Sequence, residues 1–179
     1  MKNLLLVVGL LVAHVSSYGQ HHNTHESDDL HEPFFRTSLT IAHTYLPKNT
    51  VEGAKNIILP TVALDFEYWM NHTWGVGLHN DLELLNFEVK ESDDQIYIER
   101  EFPVLVTLDG LFSPTSGVVL FAGPGIEFER NKNYFVFRGG IELEIPISEH
   151  WDLAPMLFYD MRNRAYNTIT IGLGVGYRI

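Results

Sequence analysis

Apolar and polar residues alternate with a period of two along most of the chain after residue 34. The clearest case is residues 171–179, where every odd position is apolar and the even positions hold glycine or arginine. Because successive side chains of a strand point to opposite faces, this pattern predicts a β-strand with one apolar and one small or polar face. Eight segments share it, at residues 35–45, 58–70, 74–85, 99–112, 117–129, 134–147, 151–161 and about 166–179.

The number and length of these segments favour an all-β fold, an eight-stranded antiparallel up-and-down transmembrane β-barrel over residues 34–179. A tilted strand crosses a bilayer in roughly 9–11 residues, and bacterial membrane barrels usually have an even number of strands. Short connections at 71–73, 113–116 and 148–150 alternate with long ones at 46–56 and 86–98. This arrangement predicts short turns on the periplasmic side and longer loops outside.

Alternation alone leaves two barrels open, because a soluble lipocalin-like barrel has the same period with its apolar face inward. Aromatic residues of the apolar face gather near the strand ends, as in the interfacial belts of membrane barrels. At one rim they are Phe35, Tyr68, Trp74, Phe112, Trp151 and Tyr177. The opposite face is rich in Gly, Ala, Thr and Ser, as a narrow interior requires. These features favour the membrane form.

With this pattern the chain resembles the small eight-stranded outer-membrane barrels of the OmpA type, a porin-like architecture, over residues 35–179. The resemblance implies the outer membrane of a Gram-negative bacterium as the location, with membrane lipid and the barrel-assembly machinery as partners. It also implies that apolar positions of the last strand act as the assembly signal, here Leu173, Val175, Tyr177 and Ile179. That group more often has Phe than Ile at the last position.

The N-terminal region predicts export. Lys2 precedes a short apolar run followed by small residues, the layout of a cleaved secretory signal peptide over residues 1–19. Residues 20–33 are polar and rich in histidine and acid, a composition that predicts a disordered arm. Imidazoles bind Zn²⁺, Cu²⁺ or Ni²⁺, so the arm is a candidate weak metal site. Its ligands would be His21, His22, His25 and His31. No other cofactor is indicated, and the chain has no cysteine.

If the apolar face meets lipid, the inward face is rich in charge. The predicted lumen charge cluster consists of Arg36, Asp65, Glu67, His79, Asp81, Asp109, Glu127, Arg138, Glu142, Glu144, Asp152 and Arg178. Four further acids share the inward phase, Glu83, Glu101, Glu129 and Asp160, so twelve acids face three arginines. The narrow interior favours a packed core of ion pairs and water. The excess of acid leaves a second hypothesis open, a narrow cation-selective path or a bound cation.

Charge and side-chain chemistry exclude other functions. The formal net charge is −11, and −12 once Lys2 leaves with the signal peptide, so nucleic acid is not an expected partner. Lipid-modifying catalysis needs a nucleophile beside a base near one rim. His43 and Thr44 point to opposite faces, and Ser148 and His150 lie in a predicted periplasmic turn. The sequence therefore predicts a non-enzymatic protein with a structural or interaction role, with cation passage as the alternative and a soluble lipid-binding barrel less favoured.

Overall fold

The computed structural model describes residues 33–47, 56–90, 97–163 and 165–179. Within these ranges the chain forms eleven β-strands. They are β1 (Phe34–Leu46), β2 (Ile57–Trp69), β3 (Trp74–Glu83), β4 (Phe87–Lys90), β5 (Tyr97–Arg100), β6 (Val104–Thr115), β7 (Val118–Phe128), β8 (Tyr134–Leu143), β9 (Ile145–Pro146), β10 (Trp151–Arg162) and β11 (Asn167–Arg178). In the described part of the chain, no helix is long and apolar enough to cross a membrane.

Eight of the described strands close into an antiparallel barrel. The order is β1-β2-β3-β6-β7-β8-β10-β11, with the short β9 continuing the β8 edge against β10. Closure comes from pairing of β11 with β1, in a register that runs from Arg36↔Arg178 to Tyr45↔Ile169. Neighbouring wall strands follow one another along the chain, apart from the β11–β1 closure, the β3–β6 pair with β4 and β5 between them, and the β8–β10 pair with the short β9 between them. The predicted eight-stranded up-and-down barrel is confirmed.

The apolar face of the barrel points outward. On β1, Leu39 and Ile41 are 63% and 70% exposed, whereas Arg36, Ser38 and Thr40 between and before them are buried. The same alternation runs along the other long strands. A water-soluble barrel would show the reverse, because removing apolar surface from water lowers the free energy of the folded protein. The faces-exchanged, lipocalin-like alternative is therefore wrong for this chain.

Aromatic side chains of the outward face form pairs at one end of the barrel. Ring centroids lie 4.9 Å apart for Phe35 and Tyr68, 4.6 Å apart for Trp74 and Phe112, and 4.7 Å apart for Trp151 and Tyr177. This end carries the short β2–β3, β6–β7 and β9–β10 connections and is called the turn end; the opposite end is called the loop end. The predicted rim of six aromatics is thus a set of cross-strand pairs.

The loop end differs from the predicted pattern. Residues 99–112 were expected to form one strand, but residues 99 and 100 belong to β5 and the wall strand β6 begins at Val104. The predicted long loop 86–98 contains a separate two-stranded hairpin, β4–β5. At the joint between hairpin and wall, Phe102 has φ 44°, a left-handed conformation unfavourable for a bulky L-residue. The hairpin therefore bends away from the wall instead of extending it.

Three predicted features lie wholly or largely outside the described residues. They are the signal peptide at 1–19, the arm at 20–33 with His21, His22, His25 and His31, and most of the loop at 46–56. Each stays a prediction.

Candidate functional site

Buried ion pairs fill the barrel interior in layers, beginning with Arg36 near the turn end. This arginine bridges four strands: Nη1 donates to Glu67 Oε1 at 2.8 Å, and Nη2 lies 2.6 Å from Asp152 Oδ1 and 2.7 Å from Glu142 Oε1. Glycine at position 176 makes this possible, because a Cβ there would lie 2.6 Å from Arg36 Nη2. One guanidinium thus ties β1, β2, β8 and β10 together across the lumen.

Further polar contacts lie between the Arg36 layer and the solvent at the turn end. Arg178 Nη2 donates to Glu144 Oε2 at 2.5 Å, and the Arg178 side chain is 40% exposed. Trp69 Nε1 donates to Glu67 Oε2 at 2.8 Å. An open pocket of about 320 Å³ lies outside these groups, with His72, Ser113 and Arg178 among its lining residues. The buried Trp69 ring is part of the pocket lining.

A second set of buried polar groups lies between β2, β3 and β6. His79 Nδ1 is 2.8 Å from Asp109 Oδ2, and Asp109 also accepts a 2.6 Å hydrogen bond from Thr107 Oγ1. Asp65 accepts hydrogen bonds from Ser38 Oγ and from the backbone N–H of residue 80, both at 3.2 Å. These carboxylates are held by hydrogen bonds rather than by arginine.

Arg138 dominates the middle layer. Its Nε and Nη2 donate to Asp160 at 2.7 and 3.0 Å, and Nη2 also bonds Asp81 Oδ2. The Phe158 ring covers the guanidinium, with 4.1 Å between Arg138 Cζ and the ring centroid. The side chain is buried, and β8, β10 and β3 are joined across the barrel by these contacts.

The loop-end layer centres on Glu127. Its carboxylate accepts bonds from Arg162 Nε, from Arg100 Nη2 and, at 2.7 Å, from the Tyr166 hydroxyl. Arg100 Nη1 also lies 3.0 Å from Glu129 Oε2. Burial would lower the pKa of the Arg100 guanidinium, but the neighbouring acidic groups, Glu127 foremost, together outweigh burial and raise that pKa. Burial raises the pKa of the Tyr166 phenol well above its ordinary value, so the hydroxyl stays protonated and donates.

The structure places every residue of the predicted lumen charge cluster on the interior side. Ten of the twelve are buried, while Glu144 and Arg178 lie at the turn-end mouth and are partly exposed. Glu101 is exposed and does not face the lumen, because it lies in the bend between β5 and β6. The contacts show how these charges are partnered; they do not test a functional role for the cluster.

Two lumen arginines were missed by the sequence pattern. Arg162 and Arg100 are both buried, whereas only Arg36, Arg138 and Arg178 were expected inside. Arg162 continues the even-numbered inward phase of Asp160, so extending that strand by one pair would have found it. Arg100 is brought in by the bent hairpin and has no such signal. Among the described residues, nine buried carboxylates now face four buried arginines and His79.

Apolar side chains close the lumen above and within these layers. At the loop end a cluster called the cap contains Leu46, Leu59, Phe87, Val89, Tyr134 and Tyr166, all at most 5% exposed. A second cluster lies inside the barrel and contains Trp69, Leu111, Val119, Phe121, Met156 and Phe158. The enclosed cavity beside Asp65, His79 and Arg138 has a volume of only about 10 Å³, roughly the space of one water.

Other candidate groups do not assemble into a site. Of the predicted assembly signal, Leu173, Val175 and Ile179 are exposed on the outward face and Tyr177 packs against Trp151, which leaves the signal role a prediction. His43 faces outward, opposite the lumen. In the part of the chain that the structure describes, no group of three or more His, Cys, Asp or Glu side chains is arranged to hold a metal ion.

Comparison with solved structures identifies the class of fold. Ail, the attachment invasion locus protein of Yersinia pestis in complex with the heparin analogue sucrose octasulfate, is 19% identical, with a TM-score of 0.56 and coverage of 83% of this chain and 99% of Ail. The outer membrane protein OprG from Pseudomonas aeruginosa is 14% identical, with a TM-score of 0.51 and coverage of 83% and 97%. No protein-family model matches the sequence, and no curated protein does. The fold is that of the small eight-stranded outer-membrane barrels, and the expected resemblance is confirmed at this level.

Proposed function

We propose that this protein is a non-conducting outer-membrane barrel that anchors its loop end at the cell surface for interaction. The observation that carries the proposal is the combination of an apolar outer wall with an interior filled by side chains. An apolar wall of this kind is stable in lipid, where closed barrels satisfy every backbone hydrogen bond. A filled interior leaves the wall and the loop end as the surfaces available to partners.

The location follows from the same wall. The exposed apolar side chains and the paired aromatic rim match a bilayer with interfacial belts. The turn end would face the periplasm and the loop end the outside. Fractionation and gel mobility test this: the unboiled protein is expected in the outer-membrane fraction, with a band that shifts on boiling. Recovery from the soluble periplasmic fraction would refute it.

Closure of the lumen argues against the alternative of cation passage. An ion would have to displace the Arg138 bridge to Asp81 and Asp160 and pass a cavity of about 10 Å³. Excess buried carboxylate is the one feature that favours cations. Planar-bilayer recordings decide: no unit conductance is expected for the wild type, and none for Glu142→Gln or Asp81→Asn. A cation-selective conductance that either substitution alters would establish the alternative.

An interaction role at the loop end must suit its charge. Glu88, Glu99 and Glu101 are exposed there, and the chain as a whole is acidic. Ail was solved with a polyanion. At the described loop end of this chain the three exposed glutamates outnumber the exposed bases Arg130 and Lys132, and with the acidic chain as a whole this disfavours a polysulfate. Positively charged partners fit better. Retention on heparin resin at low salt would contradict this expectation.

A catalytic role is not supported by the described residues. Lipid modification would require a nucleophile and base together at the loop-end rim, and His43 lies alone on the outer wall without a serine on its strand face. We therefore infer a non-enzymatic protein. An unchanged lipid A profile in a deletion strain is the expected result, and a missing lipid A modification would overturn it.

A further inference from the structure

The β4–β5 hairpin is seated in the loop-end mouth as a separate element. It forms its own two-stranded sheet and shares no strand pairing with the barrel wall. Phe87 and Val89 on β4 are 5% and 1% exposed, and Arg100 on β5 is fully buried. The hairpin therefore fills the mouth through three side chains, two apolar and one charged.

The seat beneath the hairpin has the features of a ligand pocket. Its walls are apolar and aromatic, formed by Leu46, Leu59, Tyr134 and Tyr166 from the barrel. Its floor is the Glu127 carboxylate, fixed from below by Arg162 and from the side by the Tyr166 hydroxyl. An apolar recess with a few convergent polar groups is the usual composition of a small-ligand site.

The hairpin presents a compact recognition unit to this pocket. Phe87 and Arg100 are directly opposite each other in the hairpin, so their side chains project side by side. The Phe87 ring meets Tyr166 edge to face at 5.8 Å, while Arg100 Cζ lies 4.8 Å over the Tyr134 ring and Nη2 reaches Glu127. An aromatic ring beside a guanidinium is what the pocket binds.

The joint between the hairpin and the wall has an unfavourable backbone angle. Phe102 has φ 44°, a left-handed conformation that a residue with a Cβ rarely adopts, and a change in the bend of the hairpin could relieve it. Hydrogen bonds join the hairpin to the β7–β8 turn: Asn131 Nδ2 donates to the Glu99 carbonyl at 2.9 Å, and Arg100 Nη1 donates to the Lys132 carbonyl at 2.5 Å. Within the mouth, the hairpin is anchored by the buried side chains of Phe87, Val89 and Arg100.

We propose that the loop-end mouth is a binding site occupied by the chain's own hairpin, and that a peptide segment with an arginine beside an aromatic residue takes the same seat when the hairpin lifts. The inference deepens the interaction role proposed above and rests on it for the outward direction of the mouth. Location and conductance are measured without reference to the hairpin, so failure of one proposal is distinguishable from failure of the other.

The first measurement asks whether the hairpin lifts. The chain has no cysteine, so Thr168→Cys gives a single thiol at a fully buried position below Arg162. We expect maleimide to label this thiol in nanodiscs at least tenfold faster when Phe87→Ala and Arg100→Ala are added. Arg130→Ala, which removes an exposed arginine of the same end, is the matched control and should leave the rate unchanged.

The second measurement asks what the opened seat accepts. The probe is N-acetyl-phenylalanyl-arginine amide, compared with its citrulline analogue, which has the same shape without the charge. Saturable binding to the Phe87→Ala, Arg100→Ala variant is expected, at least tenfold weaker for the citrulline probe and for the wild-type chain. If the double variant lacks the heat-dependent gel shift, Phe87→Ala alone replaces it in the labelling experiment; Arg100 then still contacts Glu127, and the expected result is faster labelling of the Thr168→Cys thiol than in the parent chain. Equal binding of both probes, no saturable binding, or no increase in labelling overturns the proposal.

Discussion

Arg138 offers the sharpest test of whether buried ion pairs hold the barrel together. Substitution by methionine keeps an unbranched side chain of similar length but removes the guanidinium. Asp81 and Asp160 then lose the arginine that bridges them, and the Phe158 ring loses its cation. These side chains are buried and the adjoining cavity has a volume of only about 10 Å³, so water cannot readily solvate the carboxylates that remain.

The expected cost follows from burial of the partners. Removing one member of a buried ion pair typically costs about 3–5 kcal/mol, because the remaining charge stays buried without compensation. Arg178→Met is the matched control: its side chain is 40% exposed, and a solvent-exposed pair contributes at most about 1 kcal/mol. Adding Asp81→Asn and Asp160→Asn to Arg138→Met removes the uncompensated charges, so most of the loss should be recovered.

Urea unfolding of the barrel from lipid vesicles, followed by tryptophan fluorescence, measures these differences. The order of stability should be wild type close to Arg178→Met, then the triple variant, then Arg138→Met. Equal losses for Arg138→Met and Arg178→Met would show that burial does not govern the contribution of these pairs. A triple variant less stable than the single one would show that the aspartates contribute through other contacts.

Further predictions concern packing, lipid contact and the hairpin. Gly176→Ala should destabilise the barrel by about 1–3 kcal/mol, since its Cβ would lie 2.5 Å from Asp152 Oδ1. The control is Gly110→Ala, whose Cβ would lie 3.8 Å from its nearest neighbour. Equal unfolding midpoints for the two variants would contradict the close approach at position 176. Ile41→Arg, at the middle of the lipid-facing side of β1, should cost roughly 2–4 kcal/mol in a bilayer, and no loss in vesicle unfolding would speak against a lipid-facing wall. Phe87→Ala should accelerate protease cleavage of the hairpin without altering the heat-dependent gel shift of the barrel; resistance equal to the wild type would mean that the cap does not hold the hairpin.

The wall of this barrel was predictable because its chemistry repeats every two residues. One decision, whether Leu39 and Ile41 meet lipid or the interior, fixes the direction of every other side chain on β1, since a strand has only two faces. The same phase carried to Asp160 and one pair further would have placed Arg162 inside. Which residues of a strand face inward and which face outward can therefore be predicted from local sequence alone.

Which charges meet across the lumen was not predictable in the same way. Arg36 and Asp152 are separated by 116 residues. They meet because β1 pairs with β11 in one register and β11 pairs with β10 on its other side. A shift of that closure by two residues would keep every face correct and change the partners that meet across it, such as Arg36 and Asp152. The pattern of ion pairs is thus a property of the closed barrel, and it cannot be predicted from the inward and outward positions of single strands.

The position of the β4–β5 hairpin could not be predicted from the sequence either, because it depends on a single backbone angle. If Phe102 were extended, β5 would run into β6 as the predicted strand does, and Arg100 would lie along the wall above the lumen. The left-handed turn at Phe102 sends Arg100 and Phe87 into the mouth instead, where Glu127 and the tyrosine walls hold them. No local preference favours that angle at phenylalanine, and it occurs together with the contacts of Arg100 and Phe87 in the mouth. On the proposal made above, occupancy of the mouth and the bend of the hairpin are one equilibrium, which a ligand for the mouth would shift.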